Sequence, residues 1–256
     1  MIPALEFRDV TFTLPGGRIL LDHISLAVQE GTITALLGRS GSGKTTLLRT
    51  VNRMVEPTSG SVLVHGKDNR LRDIVRMRRT MGYVIQETGL FPHFNVARNV
   101  GLVLEAEGRP RQERLQRSDE LLNAVGLDPR VFLQRYPHQL SGGQRQRVGL
   151  ARALAAEPTM LLMDEPFGAL EPLTRAEMQD MLRGLMDQLK KTVLLVTHDL
   201  DEALYLAQRV VLMREGKLIA DLSPTEFLRS THPDVQAYVR AFHRGTRSAA
   251  GQEQKA

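Results

Sequence analysis

The segment that decides the fold covers residues 38–46 and reads Gly38-Arg39-Ser40-Gly41-Ser42-Gly43-Lys44-Thr45-Thr46. It fits the pattern G-x-x-x-x-G-K-[ST], in which glycines let successive backbone N–H groups turn toward phosphate oxygens and the next helix presents its positive N-terminus. In that pattern the Lys44 ammonium reaches the outer phosphates, and the Thr45 hydroxyl ligates Mg²⁺. The segment therefore predicts a site for a nucleoside triphosphate.

The flanks of this segment supply the strand and the helix that the pattern requires. Residues 32–37 read Thr-Ile-Thr-Ala-Leu-Leu, a β-branched and apolar run that is typical of a buried strand. Apolar residues then recur at helical spacing between Thr46 and Met54. A glycine-rich turn with a chance lysine is the alternative, but a glycine loop between a strand and a helix favours phosphate binding.

Composition and charge exclude several classes of protein. The chain has 256 residues, of which 42% are hydrophobic, enough for a sizeable core. No apolar run approaches the ~20 residues that cross a bilayer, and the N-terminus lacks the order of a signal peptide, so we expect a cytoplasmic chain. The absence of cysteine excludes disulfides and thiol chemistry.

The net charge of +5 comes largely from arginines clustered in residues 70–79 and 109–117. Such clusters can bind nucleic acid or anionic lipid, but they are more often the solvated faces of helices. Because no aromatic stacking residues are interleaved with the arginines, we predict no nucleic-acid partner.

The order of strand and helix signals predicts one large domain, residues 1–244, with an inserted helical lobe. Strand-like runs between Leu5 and Val28, broken by a Pro-Gly-Gly turn, predict an antiparallel sheet at the N-terminus. From about residue 95 to residue 156 the signals are helical. We expect residues 245–256, rich in small and polar side chains, to form a disordered tail.

Strand signals resume after the helical lobe. Met160–Asp164 and Thr192–Thr197 are apolar runs with a helical stretch between them, the layout of a parallel β-α-β unit. Two further runs flank Glu215-Gly216 and predict a closing hairpin.

The acids Asp164 and Glu165 follow the first of these runs and so lie at the C-terminal edge of a buried strand, where open parallel sheets bind ligands. Because neighbours in a strand point to opposite sides, the two carboxylates can divide two jobs. We predict that Asp164 holds the Mg²⁺ shell and that Glu165 accepts the proton of a water attacking the γ-phosphate. Two acids that only end a strand are the alternative.

Two more polar residues end strands on the same pattern. His198 follows the run that should neighbour the Asp164 strand, and we predict that it contacts the γ-phosphate. Gln86 ends the strand-like run Met81–Gln86 and is a candidate contact for Mg²⁺ or the attacking water. A lone histidine or glutamine is more often structural, so both predictions depend on the neighbouring motifs.

A second glycine motif, about a hundred residues after the first, reads Leu140-Ser141-Gly142-Gly143-Gln144. Ser141 is a good N-cap, the glycines permit close backbone approach, and the helix from Gln144 to Leu154 directs its N-terminus toward a phosphate. A helix cap alone needs only the serine.

Taken in order, these motifs resemble those of ABC-type ATPases over roughly residues 5–228. The resemblance implies an α/β phosphate-loop ATPase with a mixed or parallel central sheet, an N-terminal antiparallel β subdomain and an inserted α-helical subdomain. It implies ATP and Mg²⁺ as cofactors. It also implies a head-to-tail dimer, with an identical or similar subunit, that sandwiches two ATP molecules between phosphate loops and Ser141–Gln144 segments; hydrolysis then separates the subunits.

The resemblance assigns roles residue by residue. The nucleotide contacts are Gly38, Arg39, Ser40, Gly41, Ser42, Gly43, Lys44, Thr45, Thr46, Gln86, Ser141, Gly142, Gly143 and Gln144. Thr45, Gln86 and Asp164 are the metal ligands, and Glu165 and His198 are catalytic. Two positions depart from the family pattern. Leu14 stands where an aromatic residue stacks on adenine, with Phe12 as a substitute, and Glu171 replaces an aspartate, so we expect weaker base selectivity and slower turnover.

The residues in and around these motifs resemble most those of the ATPase subunits of bacterial importers for quaternary amines such as glycine betaine and choline. That implies a peripheral protein on the cytoplasmic face of the inner membrane, with transmembrane permease subunits and, indirectly, a periplasmic or lipid-anchored substrate-binding protein. Many such subunits carry C-terminal regulatory domains, for which the 256-residue chain is too short.

Other functions remain open from the sequence. Importers for amino acids, phosphonates or polyamines share much of the motif wording. A soluble ABC ATPase that acts on nucleic acid or ribosomes is a second alternative, although fused tandem ATPase units, long coiled coils and cysteine-bound metal are missing from the sequence. A non-hydrolysing, nucleotide-gated interaction module is a third, suggested by Glu171 and Leu14.

Overall fold

The computed structural model describes residues 2–86 and 88–242, so the predicted tail lies outside the described residues. The strands are β1 (Leu5–Thr13), β2 (Ile19–Val28), β3 (Ile33–Leu37), β4 (Ser59–Val64), β5 (Lys67–Asp68), β6 (Met81–Val84), β7 (Met160–Asp164), β8 (Thr192–Thr197), β9 (Arg209–Arg214) and β10 (Lys217–Leu222). The helices are α1 (Lys44–Val51), α2 (Ile74–Arg79), α3 (Val96–Ala106), α4 (Arg111–Ala124), α5 (Pro129–Phe132), α6 (Gly142–Leu154), α7 (Pro172–Leu189), α8 (Leu200–Leu206), α9 (Pro224–Arg229) and α10 (233–242).

The first sheet is antiparallel and has the order β2-β1-β4-β5. A tight turn joins β1 to β2, in which the Leu14 N–H donates to the Arg18 carbonyl over 2.8 Å. Glycines in this turn supply the positive φ that reverses the chain. The predicted N-terminal antiparallel sheet is confirmed.

The second sheet has the order β10-β9-β3-β8-β7-β6. Its pairs are parallel except for the β9–β10 hairpin, so the sheet is mixed. The β7-α7-β8 unit places β7 and β8 side by side, as predicted. The carboxyl ends of β3, β7 and β8 therefore meet at one edge, which positions the loops that follow them.

Side chains of the second sheet alternate between two hydrophobic clusters on its opposite faces. Within β3, Leu36 contributes to one cluster, while Ala35 and Leu37 contribute to the other. Helix α1 lies on the first face and buries Leu47 completely between the two sheets. A fully buried leucine contributes about 1.5–3 kcal/mol, so this packing fixes the helix that follows the phosphate loop.

Helices α3 to α6 occupy the interval in which the sequence predicts helices, and residues 88–159 contain no strand. Within this lobe Asn99 is fully buried, and its amide donates to the Phe91 and Phe94 carbonyls over 3.1 and 2.9 Å. The lobe joins the sheet closely at Gly82, where an added Cβ would lie 2.4 Å from the Ala153 carbonyl oxygen in α6. The α/β fold class is confirmed, whereas the boundaries of the domain remain a prediction.

Candidate nucleotide site

The phosphate loop lies between β3 and α1, and its glycines allow neighbouring strands to approach it. A Cβ on Gly43, whose φ is 100°, would lie 2.7 Å from the Leu20 carbonyl oxygen of β2. A Cβ on Gly38 would lie 2.4 Å from the Met213 carbonyl oxygen of β9. Any other residue would push the loop away from the two strands, so the loop geometry depends on these glycines.

Lys44 bends back over the loop from the first turn of α1. Its Nζ donates to the Gly38 and Arg39 carbonyls over 2.7 and 3.0 Å. Burial lowers the pKa of the Lys44 ammonium, and the charges of Glu165 and Asp164 oppose that shift. A cation is thus held at the mouth of the loop, where anionic phosphates would meet it.

Thr45 and Asp164 bring two oxygen donors together. The Thr45 Oγ1 hydroxyl donates to Oδ1 of Asp164 over 2.7 Å, and the Arg49 guanidinium lies 3.7 Å from Oδ2. Among the described residues, no cluster of three or more His, Cys, Asp or Glu side chains could cage a metal. Mg²⁺ commonly binds through one or two carboxylates together with phosphates and water, so one hydroxyl and one carboxylate fit an ion that arrives with a nucleotide.

Glu165 leaves the strand immediately after Asp164. Its φ is 49°, and its N–H donates to the Val196 carbonyl of β8 over 2.9 Å. The Asp164 carboxylate contacts Thr45, and the Glu165 carboxylate contacts His198. Glu165 adopts a left-handed conformation, whereas the sequence argument invoked alternation along a strand. Such backbone strain costs about 1–3 kcal/mol and concentrates at functional sites.

His198 follows β8 and meets Glu165. Its Nδ1 lies 3.1 Å from Oε2 of Glu165, a separation that suits a hydrogen bond from the ring N–H. The two residues follow adjacent parallel strands, which is why residues 33 positions apart come together. The adjacency of the two strands was predicted, and β7 and β8 do pair; the contact between the two side chains was not predicted.

Gln86 lies two residues beyond β6, which ends at Val84. Gly168 lies near the side chains of Gln86 and Glu165: a Cβ added to it would lie 3.4 Å from Nε2 of Gln86 and 3.8 Å from Oε2 of Glu165. The structure thus brings Gln86 and Glu165 close to the same glycine. The contact of Gln86 with the metal ion or the attacking water remains a prediction.

The Ser141–Gln144 segment forms the N-terminus of α6. The Ser141 hydroxyl accepts from the Gln144 N–H over 3.3 Å, and the Gln144 side chain accepts from the Ser141 N–H over 3.0 Å, a capping box. A Cβ on Gly143 would lie 2.4 Å from the Thr174 methyl group in α7. One predicted close approach is therefore to α7 of the same chain.

Ser141 and Gly142 are exposed at the start of this 13-residue helix. The contacts of the segment join it to α7, whereas the phosphate loop is joined to β2, β7 and β9. The close contacts of the two glycine motifs thus lie with different elements of the same chain.

The two departures from the family pattern have clear positions. Leu14 is half-buried at the start of the β1–β2 turn. Phe12 packs against the hydrophobic cluster between the two sheets, so its ring already has a structural role. Glu171 precedes α7 as its N-cap but makes no capping hydrogen bond with its side chain.

Some residues beside the site were missed from the sequence. Arg49 lies four positions after Thr45 on α1, and that helical spacing was a usable signal. Glu202 in α8 is buried, and its Oε1 has no hydrogen-bond partner among the described residues. Burial, reinforced by the charge of Asp199, raises the pKa of Glu202 to about 8. Only the fold reveals this carboxyl.

The loop between β3 and α1, the acids after β7 and the histidine after β8 define a phosphate-loop nucleotide-binding domain with an inserted helical lobe. The family described as ABC transporter matches residues 21–168, more than half of the chain. The chain belongs to this family.

Two relatives resemble the chain over most of its length. It is 44% identical over 226 residues to a carnitine transport ATP-binding protein of Listeria monocytogenes, which covers 88% of this chain and 57% of the relative. It is 45% identical over 238 residues to the glycine betaine uptake system ATP-binding protein of Escherichia coli K12, which covers 93% of this chain and 76% of that protein. The chain thus spans little more than half the length of the Listeria protein.

One solved structure gives the nucleotide state of a similar cassette. A dimeric ATP-binding cassette in a post-hydrolysis state, bound to ADP and Pi, superposes with a TM-score of 0.76 at 32% identity. The match covers 86% of this chain and 98% of that cassette. The matched family and this solved structure together support ATP hydrolysis by the fold that the chain adopts.

In residues 2–86 and 88–242, no helix has the length and hydropathy that a membrane crossing requires.

Proposed function

We propose that this chain is the ATP-hydrolysing subunit of a bacterial importer, in which ATP-driven dimer closure and hydrolysis power uptake of a quaternary amine through separate membrane subunits. The observation that carries the proposal is the convergence of three groups at one sheet edge: the Lys44 ammonium, the Thr45–Asp164 pair and the Glu165–His198 pair. These are a phosphate binder, a metal-binding oxygen pair and a base with its partner.

In this mechanism the chain's own residues bind and orient the reactants. Lys44 and the loop N–H groups hold the outer phosphates, and His198 contacts the γ-phosphate while it keeps the Glu165 carboxylate in place. Glu165 accepts the proton of the attacking water. Thr45 and Asp164, assisted by Gln86, would hold Mg²⁺, which neutralises charge on the phosphate oxygens.

A second copy of the chain, or a similar subunit, completes the site. The exposed N-terminus of α6 at Ser141 carries the positive end of the helix dipole, which suits a phosphate. Since this surface is separate from the phosphate loop of its own chain, it would bind ATP held by the partner. The dimeric cassette bound to ADP and Pi supports dimerisation.

The substrate class and the location come from the relatives, whose names specify carnitine and glycine betaine. The chain would act as a peripheral subunit on the cytoplasmic face of the membrane, against permease subunits served by a periplasmic or lipid-anchored binding protein. Uptake of labelled glycine betaine by the reconstituted transporter would establish the substrate class, and uptake of an amino acid alone would contradict it.

ATP hydrolysis tests the core of the proposal. We expect Glu165→Gln and Lys44→Ala to lower the rate by at least about 100-fold. Glu157→Gln is the matched control, since Glu157 is another glutamate with positive φ, at 51°, but lies outside the site. Wild-type rates in both site variants would contradict the assigned roles. Copurified membrane subunits would support the importer, and copurified RNA or DNA would contradict it.

A further inference from the structure

Helix α10, residues 233–242, lies beside the nucleotide site and carries Tyr238, which follows His198 by 40 residues. Its Val235 is fully buried in the hydrophobic core. The first turn is also held by an ion pair between Asp234 and Arg214, the last residue of β9. The helix is therefore docked on the sheet at two points.

One face of α10 is turned toward the phosphate loop. Asp234, Tyr238 and Phe242 are spaced four residues apart and share this face. They line a cavity of about 920 Å³ whose other walls include residues 39–42 and His198. The helix thus faces the groups that would surround the γ-phosphate.

A hydrogen bond links this face to His198. The Tyr238 hydroxyl donates to the His198 carbonyl over 2.8 Å. The next N–H along the chain, that of Asp199, donates to Oγ1 of Thr197 over 3.0 Å. The peptide group between His198 and Asp199 is therefore held at both polar atoms, and Tyr238 supplies the contact from a distant element.

The Tyr238 hydroxyl is suited to this contact. Burial raises its pKa to about 12, with the charge of Asp199 adding to the rise and that of Arg39 opposing it. The hydroxyl therefore keeps its proton at neutral pH and donates to the carbonyl. The histidine ring on the same residue makes the 3.1 Å contact with Glu165.

We propose that Tyr238 is a positioning residue for hydrolysis: by holding the His198 carbonyl from α10, it keeps the imidazole aligned with Glu165 and with the γ-phosphate. Tyr238 touches no reacting atom and acts through His198. The inference rests on the proposed ATPase function, in which Glu165 and His198 flank the phosphate. Small displacements of reacting groups cost up to about 10²-fold in rate, so a lost anchor is measurable.

Steady-state kinetics of Tyr238→Phe test the role. We expect kcat about tenfold below the parent chain, equal to about 1.4 kcal/mol in the barrier, with KM for ATP within about twofold, because the phosphate loop is untouched. Tyr205→Phe is the matched control: the Tyr205 hydroxyl also donates to an oxygen, that of Asp180, but away from His198. The control should keep parental kcat and KM.

A spectroscopic readout separates this role from the proposed function. We expect the ring ¹⁵N chemical shifts of His198, in the nucleotide-free chain, to change in Tyr238→Phe and to stay constant in Tyr205→Phe. This measurement needs no activity. If Glu165→Gln hydrolysed ATP like the parent chain, the proposed function would fail while the His198 spectra still tested the anchor.

A second variant weakens the docking of α10 at its first turn, where Asp234 pairs with Arg214, and should thereby disturb the contact of Tyr238 with His198. Asp234→Asn weakens the ion pair with Arg214 and should lower kcat and shift the His198 signals in the same direction as Tyr238→Phe, and the charge-reversed double variant Arg214→Asp/Asp234→Arg should restore both. Asp221→Asn, which breaks the similarly exposed Arg209–Asp221 pair, is its control.

The inference is overturned if Tyr238→Phe keeps parental kcat and His198 shifts while Glu165→Gln abolishes hydrolysis. It is equally overturned if Tyr238→Phe raises only KM, or if Tyr205→Phe loses as much kcat as Tyr238→Phe.

Discussion

The Thr45 hydroxyl donates to Oδ1 of Asp164 over 2.7 Å and joins the first turn of α1 to the end of β7. The contact links the glycine loop to the strand that carries the acids, although 119 residues separate the two side chains. A hydroxyl and a carboxylate are thereby preorganised at the separation of two ligands of one small cation.

Thr45→Ala should therefore lower ATP hydrolysis about 100-fold and raise the Mg²⁺ concentration required for half-maximal rate, because one oxygen ligand and the Asp164 contact are both lost. Thr45→Ser keeps the oxygen and should retain most of the activity. Rates measured across a Mg²⁺ titration provide the test. An unchanged Mg²⁺ dependence in Thr45→Ala would show that this pair does not hold the metal.

Glu165→Gly should separate stability from activity. Glu165 has a φ of 49°, which glycine adopts without a Cβ clash. We therefore expect the free energy of unfolding of the variant to rise by about 0.5–1 kcal/mol while ATP hydrolysis is abolished. Glu157→Gly, with a φ of 51° outside the site, should gain similar stability and keep its activity. Denaturant unfolding and ATPase rates check both statements. Lower stability in Glu165→Gly would mean that its side-chain contact with His198 outweighs the strain.

Local patterns identified most groups of the candidate nucleotide site because the residues predicted to bind phosphate follow one another in the chain. The loop of residues 38–46 combines strand, glycines and helix within one segment, and Asp164 and His198 each follow an apolar strand. Parallel pairing then places both residues at the same edge, so His198 could be assigned as a neighbour of the Asp164 strand.

The remainder depended on tertiary contacts. Glu165 has a positive φ, and its N–H donates to the Val196 carbonyl in the neighbouring strand. No spacing in the sequence encodes this backbone conformation. Phe12, the expected substitute for an aromatic residue on adenine, is half-buried and packs against the cluster between the sheets, and its contact with adenine remains a prediction. Tyr238 reaches His198 only because Val235 docks α10 in the core. Sequence patterns identify the groups, whereas packing decides their orientation.

Glu202→Gln should change how stability depends on pH. The folded pKa of Glu202, about 8, exceeds the ordinary value of 4.5, so the folded state holds a proton that the unfolded state releases. The stabilisation that the bound proton gives the folded state is fully present below about pH 4.5 and is lost as pH rises through 8. The loss is about 1.4 kcal/mol for each unit by which folding raises the pKa. Glutamine mimics the protonated form and loses nothing. Unfolding free energies should match near pH 4 and favour the variant at pH 9; equal values at pH 9 would contradict the raised pKa.

Gly143→Ala should destabilise the individual subunit, because the new Cβ would lie 2.4 Å from the Thr174 methyl group. We expect a loss of about 1–3 kcal/mol, typical of overpacking. Gly142→Ala is the matched control, since its Cβ would lie 3.8 Å from Leu170, an ordinary contact. Thr174→Ser removes the methyl group and should rescue Gly143→Ala in a double-mutant cycle of unfolding free energies. If the double variant were as unstable as Gly143→Ala alone, the clash would not be the cause.

Lost ATPase activity in Gly143→Ala therefore reports on a phosphate contact only where Thr174→Ser restores stability without restoring hydrolysis.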